Sequence, residues 1–390
     1  MITDVSQDHA TWFIEDLRNR ILPLWLKHAP RESGYFQSQF DTSWGVKDER
    51  IGTLVSQTRL IYTMAAGYAL SGDEAYRQAA QRGIEFLETH FRDTETFGYV
   101  HSCSPDGTVI DDTKQSYGHS FVIFAYANAA GYLGRAEYAN KAKEVWEEYQ
   151  QGFGKKGGGF YHVTSRSFEP DDGPLSQNPI MHLFEALLAL GTNSGHEDAL
   201  RDAATVAEFV TGRLIDGKTG FLPELFTRSW APLDEEDGNR VDVGHAFEWS
   251  YLLSFAVQLG LPRRYLSFAH QLLDAGRTLG FDRKRGLVFS PASLDGERVK
   301  PTNTYWEQCE ALRALLHFAA YRDRPELCGD FDILAKSVRA HYVDDENGGW
   351  YTSVTPKGTP LISDKGTAWK LDYHQTSMTL ELKRIVEDLN

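Results

Sequence analysis

The segment Asp216-Gly217-Lys218-Thr219-Gly220-Phe221-Leu222 contains a short pattern, a glycine followed by aromatic or aliphatic residues, that recurs along the whole chain. The six copies are Gly34-Tyr35-Phe36, Gly98-Tyr99-Val100, Gly159-Phe160-Tyr161, Gly220-Phe221-Leu222, Gly286-Leu287-Val288 and Gly349-Trp350-Tyr351. Successive glycines are 61 to 66 residues apart, so the copies divide nearly all of the 390 residues evenly. A fixed period of this kind indicates repeated units that bury their apolar faces against one another.

Between the glycine segments, apolar residues recur at steps of three and four, which is typical of amphipathic helices. The predicted helical pairs are a stretch from about Leu54 with Tyr76–Phe91, Tyr117–Tyr132 with Ala136–Tyr149, Pro179–Leu190 with Ala199–Leu214, His245–Leu259 with Arg264–Leu279, and Thr304–Tyr321 with Leu327–His341. The terminal helices Trp12–His28 and Tyr373–Asp388 can pair as a sixth hairpin. Six hairpins predict an all-α fold, an (α/α)6 barrel formed by residues 1–390 as a single catalytic domain, with short strands or loops at one rim.

The composition limits the classes of partner that the protein can be expected to bind. Lys and Arg number 40 and Asp and Glu 55, and the resulting net charge of −15 argues against nucleic acid or an anionic membrane as partner. Three cysteines are too few for a disulfide scaffold, and the N-terminus lacks the basic and apolar regions of a signal peptide. No apolar run reaches the ~18 residues of a membrane span. We therefore expect a cytoplasmic protein, and its assembly as a homo-oligomer stays open.

A polar residue lies 21 to 25 positions after each repeat glycine, early in the following helix. These residues are Arg59, His119, His182, His245, Glu310 and His374, and the offset of His119 is the shortest. If the repeats are equivalent, all six side chains point into one funnel, with Arg59 as its only basic residue apart from the histidines. A convergent set of titratable groups in a concavity is the default active site. For each residue taken singly, a hydrogen-bonded structural role is the alternative.

Two further residues join this set through their helical spacing. Glu248 lies three residues after His245 on the same helical face, where its carboxylate can fix the imidazole tautomer or hold a substrate hydroxyl. Trp306 lies four residues before Glu310, so both side chains can face the funnel.

The sequence predicts neither a metal nor a nucleotide cofactor. A metal site is the alternative function of His245 and Glu248, but the chain has no HExxH or CxxC motif. The run Gly152-Phe153-Gly154-Lys155-Lys156-Gly157 matches GxGxxG, but it follows a helix and precedes an extended segment, the reverse of the context that dinucleotide binding requires. A P-loop motif is absent.

Six motifs, in the same order along the chain, resemble the N-acylglucosamine 2-epimerase superfamily. They are Gln57-Thr58-Arg59, Tyr117-Gly118-His119-Ser120-Phe121, Asn178-Pro179-Ile180-Met181-His182, Gly244-His245-Ala246-Phe247-Glu248-Trp249, Trp306-Glu307-Gln308-Cys309-Glu310-Ala311 and Lys370-Leu371-Asp372-Tyr373-His374. The resemblance implies an (α/α)6 barrel in which His245 and His374 are the acid/base pair. It also implies that Arg59, Asn178, His182, Glu248, Trp306 and Glu310 bind or position a sugar. His119 is a substrate-binding candidate through its register.

The end of the chain is more similar to the mannose isomerase branch, because the Arg that usually follows the last histidine of the epimerase branch is missing from His374-Gln375-Thr376-Ser377-Met378. The resemblance therefore implies a neutral monosaccharide, mannose and fructose first and lyxose and xylulose next, that reacts through a cis-enediolate. A mannose 2-epimerase is the first alternative. An (α/α)6 glycoside hydrolase, which would use two acids such as Glu248 and Glu310, and a non-catalytic binding protein stay open.

Overall fold

The computed structural model describes residues 2–47 and 50–389, and these residues form twelve α-helices. Helix α1 runs through Asp4–Asp16, a π-helical turn at Leu17–Ile21, and Leu22–His28. The other helices are α2 (Leu54–Ser71), α3 (Glu74–Phe86, extended by a π-helical turn at Leu87–Phe91), α4 (Ser116–Tyr132), α5 (Ala136–Phe153), α6 (Asn178–Ser194), α7 (Glu197–Arg213), α8 (Val243–Gln258), α9 (Tyr265–Gly280), α10 (Tyr305–Tyr321), α11 (Leu327–His341) and α12 (Tyr373–Asp388).

The helical pairs agree with those predicted from the sequence, and the main difference lies at the N-terminus. Helix α1 begins at Asp4 rather than at Trp12, because the side chain of Thr3 accepts a hydrogen bond from the backbone N–H of Ser6 and caps the helix. Ser6 and Ala10, which precede the predicted start, are fully buried, so this extra length is held by packing as well as by its cap.

The even-numbered helices pack side by side in a closed inner ring, and the odd-numbered helices surround them. Inner helices are buried nearly all round: from Ser116 to Ala130 in α4, only Tyr117 is not fully buried. Outer helices are amphipathic instead; in α3 the buried residues Tyr76, Ala79, Ala80 and Gly83 follow steps of one to three. The predicted (α/α)6 barrel is confirmed, and one cluster of buried apolar side chains extends through all twelve helices.

The repeat glycines make the turns that follow the outer helices. All six have positive φ angles, from 67° at Gly286 to 91° at Gly34, a region that residues with a Cβ rarely adopt. Close approach adds to this requirement, since a Cβ on Gly159 would lie 2.4 Å from the Trp230 ring. After each glycine the chain folds back antiparallel onto the end of the outer helix, as in the bridges between Arg92 and Tyr99 and between Val343 and Trp350.

The short strands all lie on connections from an outer helix to the next inner helix. They are β1 (Gly52–Thr53), β2 (Ser102–Cys103), β3 (Val109–Asp111), β4 (Lys114–Gln115), β5 (Val163–Thr164), β6 (Leu175–Ser176), β7 (Leu225–Phe226), β8 (Phe281–Asp282), β9 (Leu287–Val288), β10 (Ser353–Val354) and β11 (Pro360–Ile362). This placement puts the strands at one rim, as predicted, and the inner helices begin at that rim. Within the described residues, no helix has the length and apolar character needed to cross a membrane.

Candidate active site

A cavity of about 350 Å³ opens at the rim where the inner helices begin. Its lining residues are Arg59, Tyr117, Asn178, His182, Arg240, Asp242, His245, Thr304, Tyr305, Trp306, Thr352, Thr367, Trp369, Lys370 and His374. Six of these were predicted as site residues. Glu248 and Glu310, also predicted, are fully buried directly beneath them. We call this space the rim cavity.

His245, near the start of α8, is held by a carboxylate from a neighbouring loop. Its Nδ1 lies 2.8 Å from Oε1 of Glu224, and the amide of Gln177 donates to both carboxylate oxygens of Glu224. Burial alone would lower the pKa of His245, but the negative charges of Glu224 and Asp242 outweigh burial and raise that pKa to about 10. His245 is therefore protonated at neutral pH and can act as an acid.

His374, the second residue of α12, also pairs with a carboxylate, but its pKa shifts in the opposite direction. Its Nδ1 lies 2.7 Å from Oε1 of Glu310. Burial, reinforced by the positive charge of Arg59, lowers the pKa of His374 well below its ordinary value. The imidazole is therefore neutral, and Nε2 is the nitrogen left to face the rim cavity.

Trp306 lies between the two histidines. Its ring centroid is 5.0 Å from that of His245 and 5.4 Å from that of His374. An indole face in this place suits the apolar face of a sugar ring. The two histidines therefore flank one aromatic platform, one imidazole protonated and the other neutral.

Arg59 is fixed at the wall of the rim cavity. Its Nη1 donates to the carbonyl of Trp369 at 3.0 Å and its Nη2 to the hydroxyl of Tyr117 at 2.8 Å. The guanidinium also lies 4.3 Å from the centroid of the Phe121 ring. Because these contacts hold the guanidinium in one orientation, its charge is available at a fixed position beside His374.

Several buried polar atoms beneath the rim cavity make no hydrogen bond to any of the described residues. They are Oδ1 of Asn178, Nδ1 of His182 and both carboxyl oxygens of Glu248. Burial, together with Glu310 and Glu185, raises the pKa of Glu248 well above its ordinary value, so this carboxyl holds a proton. Since buried polar groups are normally paired, these atoms mark where polar atoms of a ligand can bind.

The rim cavity contains more positive charge than the sequence predicted. Arg240 and Lys370 line it as well as Arg59, so the prediction that Arg59 is the only basic residue there is wrong. Both additional cations have carboxylate partners: Lys370 Nζ lies 2.8 Å from Asp372, and Arg240 Nε lies 3.8 Å from Asp242. These two residues lie in loops, outside the helical register on which the prediction relied.

His119 does not reach the rim cavity, and the prediction that it points into the funnel is wrong. Its Nδ1 donates to the carbonyl of Gln115 at 2.8 Å, and its Nε2 accepts from the backbone N–H of Tyr99 at 2.9 Å. Burial lowers the pKa of His119 to about 3, so the ring is neutral as these two bonds require. His119 anchors the turn after Gly98 to helix α4.

Replacing His119 with alanine is expected to lower the free energy of unfolding by about 2–4 kcal/mol, because it opens a cavity and leaves two buried backbone groups unpaired. The value of kcat/KM should stay close to that of the wild type. Urea denaturation and initial rates measure the two effects. A large loss of activity in a stably folded His119→Ala variant would return His119 to the substrate-binding residues.

Among the described residues, three groups of side chains each bring one histidine nitrogen and two carboxylate oxygens within 4.8 Å of one another. They are His182 with Glu185 and Glu248, His245 with Glu224 and Asp242, and His374 with Glu248 and Glu310. Nitrogen and oxygen donors of this kind could hold a divalent transition metal. The expectation that the protein needs no metal stays a prediction, which a chelator tests directly.

The sequence analysis missed the supporting residues Gln177, Glu185, Glu224 and Arg313. Glu185 lies three residues after His182, the same spacing as that of His245 and Glu248, and this repeated pair was a usable signal. Gln177 and Glu224 had no such signal, because their contact depends on the pairing of Ser176 in β6 with Leu225 in β7. Tyr117 lies within one of the six motifs, but its position in the rim cavity was not predicted from the sequence.

Comparison with known proteins agrees with this architecture. The family model N-acylglucosamine 2-epimerase (GlcNAc 2-epimerase) matches residues 34–377. A Rhizobium meliloti protein named mannose-6-phosphate isomerase is 30% identical over 317 residues, which are 80% of each chain. A D-mannose isomerase of Marinomonas mediterranea is 27% identical over 365 residues, covering 90% of this chain and 91% of the relative.

Among solved structures, the cellobiose 2-epimerase of Spirochaeta thermophila superposes with a TM-score of 0.89 and 24% identity over 98% of both chains. At that identity the likeness concerns the fold, whereas the family match covers most of the sequence. The chain belongs to the N-acylglucosamine 2-epimerase family, and it is an enzyme that isomerises or epimerises sugars.

Proposed function

We propose that the protein is an aldose–ketose isomerase that interconverts mannose and fructose, and secondarily lyxose and xylulose, in a single catalytic domain formed by residues 1–390. The observation that carries the proposal is the pair of histidines on either side of Trp306 with opposite proton affinities. Pairs of titratable groups whose surroundings push their pKa values apart are typical of acid/base catalysis.

His374 is the base and His245 the acid in this proposal. After the ring opens, Nε2 of His374 takes the proton from C2 of the aldose, and the C2–H electrons form the C1=C2 bond of a cis-enediolate. His245 protonates O1 as its negative charge develops. The Nε2 proton of His374 exchanges with solvent and is then delivered to C1, while neutral His245 takes the proton of O2, which becomes the ketose carbonyl. Proton transfer by a positioned side chain contributes about 10²–10⁴ in rate.

Arg59 and Glu248 support the negative charge that develops on oxygen. The guanidinium of Arg59 stays charged throughout and is already oriented by Tyr117 and Trp369. The protonated carboxyl of Glu248 can donate a hydrogen bond to a sugar oxygen, and the free Oδ1 of Asn178 can accept one. These groups are held by helices α2, α6 and α8, so little rearrangement is needed when the charge appears.

A neutral sugar fits the rim cavity better than a sugar phosphate. Lys370 is neutralised by Asp372, and Arg240 lies near Asp242. The relative from Rhizobium meliloti is named for a phosphorylated substrate, so mannose 6-phosphate is the comparison that tests this preference. We expect a higher kcat/KM for mannose than for mannose 6-phosphate.

The first product formed from mannose in D₂O is expected to be fructose with deuterium at C1. Isomerisation moves a proton between neighbouring carbons on one face, so His374 alone can perform both transfers. Sampling at less than a tenth of the conversion, followed by separation of the sugars and NMR of the label, measures the outcome. Glucose appearing first with deuterium at C2 would show instead that the chain is a mannose 2-epimerase, with His245 delivering the second proton.

A further inference from the structure

Arg313 lies beneath the rim cavity and contacts two of the acids on its floor. Its Nη1 is 3.3 Å from Oε1 of Glu185 and 3.5 Å from Oε2 of Glu310, and its guanidinium lies 3.8 Å from the centroid of the Tyr251 ring. On its other side Arg313 borders a separate cavity of about 270 Å³ formed by the later turns of the inner helices. The positive charge of Arg313 is therefore fixed between the rim cavity and this second cavity.

Three carboxyl groups are buried on this floor: Glu185 from α6, Glu248 from α8 and Glu310 from α10. Among the described residues, Arg313 is the only Lys or Arg that forms an ion pair with any of them. A buried charge without a partner takes up or loses a proton rather than staying charged. The positive charge of Arg313 therefore favours the ionised forms of Glu185 and Glu310.

The state of Glu310 decides which nitrogen of His374 carries the proton. If Glu310 is ionised, Nδ1 of His374 donates to it, and the lone pair of Nε2 is free to accept a proton. If Glu310 is protonated, it donates to Nδ1, the ring proton moves to Nε2, and Nε2 can no longer act as a base. A histidine held in the wrong tautomer loses most of its catalytic effect.

We propose that Arg313 is a positioning residue that keeps Glu310 ionised and thereby holds His374 in the tautomer whose Nε2 lone pair faces the rim cavity. This inference rests on the proposed role of His374 as the base. It adds to the proposed function a requirement for a residue that does not line the rim cavity.

The groups around Glu310 shift its pKa in opposite directions. The charged or titratable groups that interact with it are Arg313 and Cys309 on its own helix, His182 and Glu185 from α6, Glu248 from α8, and Tyr373 and His374 from α12. Burial raises the pKa of Glu310 above its ordinary value, and Arg313 is the strongest influence that opposes this rise. Removing the guanidinium therefore raises that pKa further.

The pH dependence of kcat/KM tests the proposal with two substitutions of opposite sign. Arg313→Gln is expected to move the acid limb of the profile to higher pH by about 1–2 units, the usual effect of losing an adjacent opposite charge. Glu185→Gln removes the carboxylate that competes for Arg313, so the acid limb should move to lower pH. Arg313→Lys keeps the charge and should leave the limb near its wild-type position.

Arg384→Gln is the matched control. Arg384 also lies on an inner helix and pairs with a buried carboxylate, that of Glu381, at 2.7 Å, but it does not contact Glu310. Its loss should lower the melting temperature without moving the acid limb. If Arg313→Gln and Glu185→Gln lower the melting temperature and leave the acid limb in place, Arg313 is only a structural residue and the proposal is wrong.

A second measurement separates this proposal from the proposed function. Imidazole ¹⁵N NMR, with His374 assigned by comparison with His374→Gln, reports the tautomer without any turnover. We expect the Nδ1–H form in the wild type at pH 8 and its loss at that pH in Arg313→Gln. If the wild type turns over none of the sugars, the proposed function fails, and the NMR result still decides the role of Arg313. An unchanged tautomer in Arg313→Gln would overturn that role.

Discussion

Replacing His374 or His245 with alanine is expected to lower kcat by about 10²–10⁴ for either histidine while the protein stays folded. His374→Ala removes the base that takes the C2 proton, and His245→Ala removes the acid that protonates the developing oxyanion. Both side chains are close to the cavity surface and each makes its main hydrogen bond to a single glutamate, so the core should not collapse. Initial rates with mannose, together with thermal unfolding curves, measure both effects.

His317→Ala is the control for these two variants. His317 is fully buried in α10, and its Nδ1 lies 2.7 Å from Oε1 of Glu381, so it repeats the imidazole–carboxylate pair of the site. It does not line the rim cavity, so His317→Ala should reduce stability and retain turnover.

Dialysis of the wild type against a chelator should leave activity unchanged. Activity within a few-fold of wild type in His245→Ala or His374→Ala, or a strong effect of the chelator, would contradict the assignment.

The sequence predicted the barrel because its repeat is marked by a backbone requirement. Each repeat glycine adopts a positive φ, and this conformational need keeps glycine at one place in every unit. Helix positions followed from apolar spacing because inner and outer helices both bury apolar side chains. Local rules of this kind can be read from a single sequence.

The prediction that His119 points into the funnel was wrong for a geometric reason. The register was counted from the glycine, but the side-chain direction depends on the position within the helix, at about 100° per residue. Counted from the first helical residue, Arg59 is at offset 5, His182 at 4 and His374 at 1, which share one side of a helix. His119 is at offset 3 in α4 and points to the opposite side, whereas Phe121 is at offset 5 and contacts Arg59.

The residues that shift the pKa values of the two histidines could not be predicted from the sequence, and the reason is different. Glu224 lies in a loop of no regular period, and it meets His245 only because strands β6 and β7 pair. The opposite proton affinities of His245 and His374 could not be predicted either, since both residues carry a carboxylate partner. The difference arises from the positive charge of Arg59 beside His374 and from the negative charge of Glu224 beside His245, and both contacts join residues that are far apart in the sequence.

Glu224→Gln is expected to lower kcat by about 10²–10⁴, nearly as much as the loss of His245 itself. The carboxylate accepts the Nδ1 proton of His245 and is the strongest charge that raises the pKa of His245 to about 10. An amide has no charge, so the pKa of His245 falls toward or below its ordinary value. It can also donate to Nδ1, in which case His245 would carry its proton on the wrong nitrogen.

The pH profile distinguishes this electrostatic role from a structural one. His245 must be protonated to act as an acid, so the alkaline limb of kcat/KM should move to lower pH in Glu224→Gln than in the wild type, where the pKa of His245 is raised to about 10. Glu381→Gln makes the same change in the pair with His317 and should leave the alkaline limb in place. If Glu224→Gln keeps wild-type turnover with an unmoved alkaline limb, then His245 does not depend on Glu224 for its proton, and the division of the two histidines into acid and base is wrong.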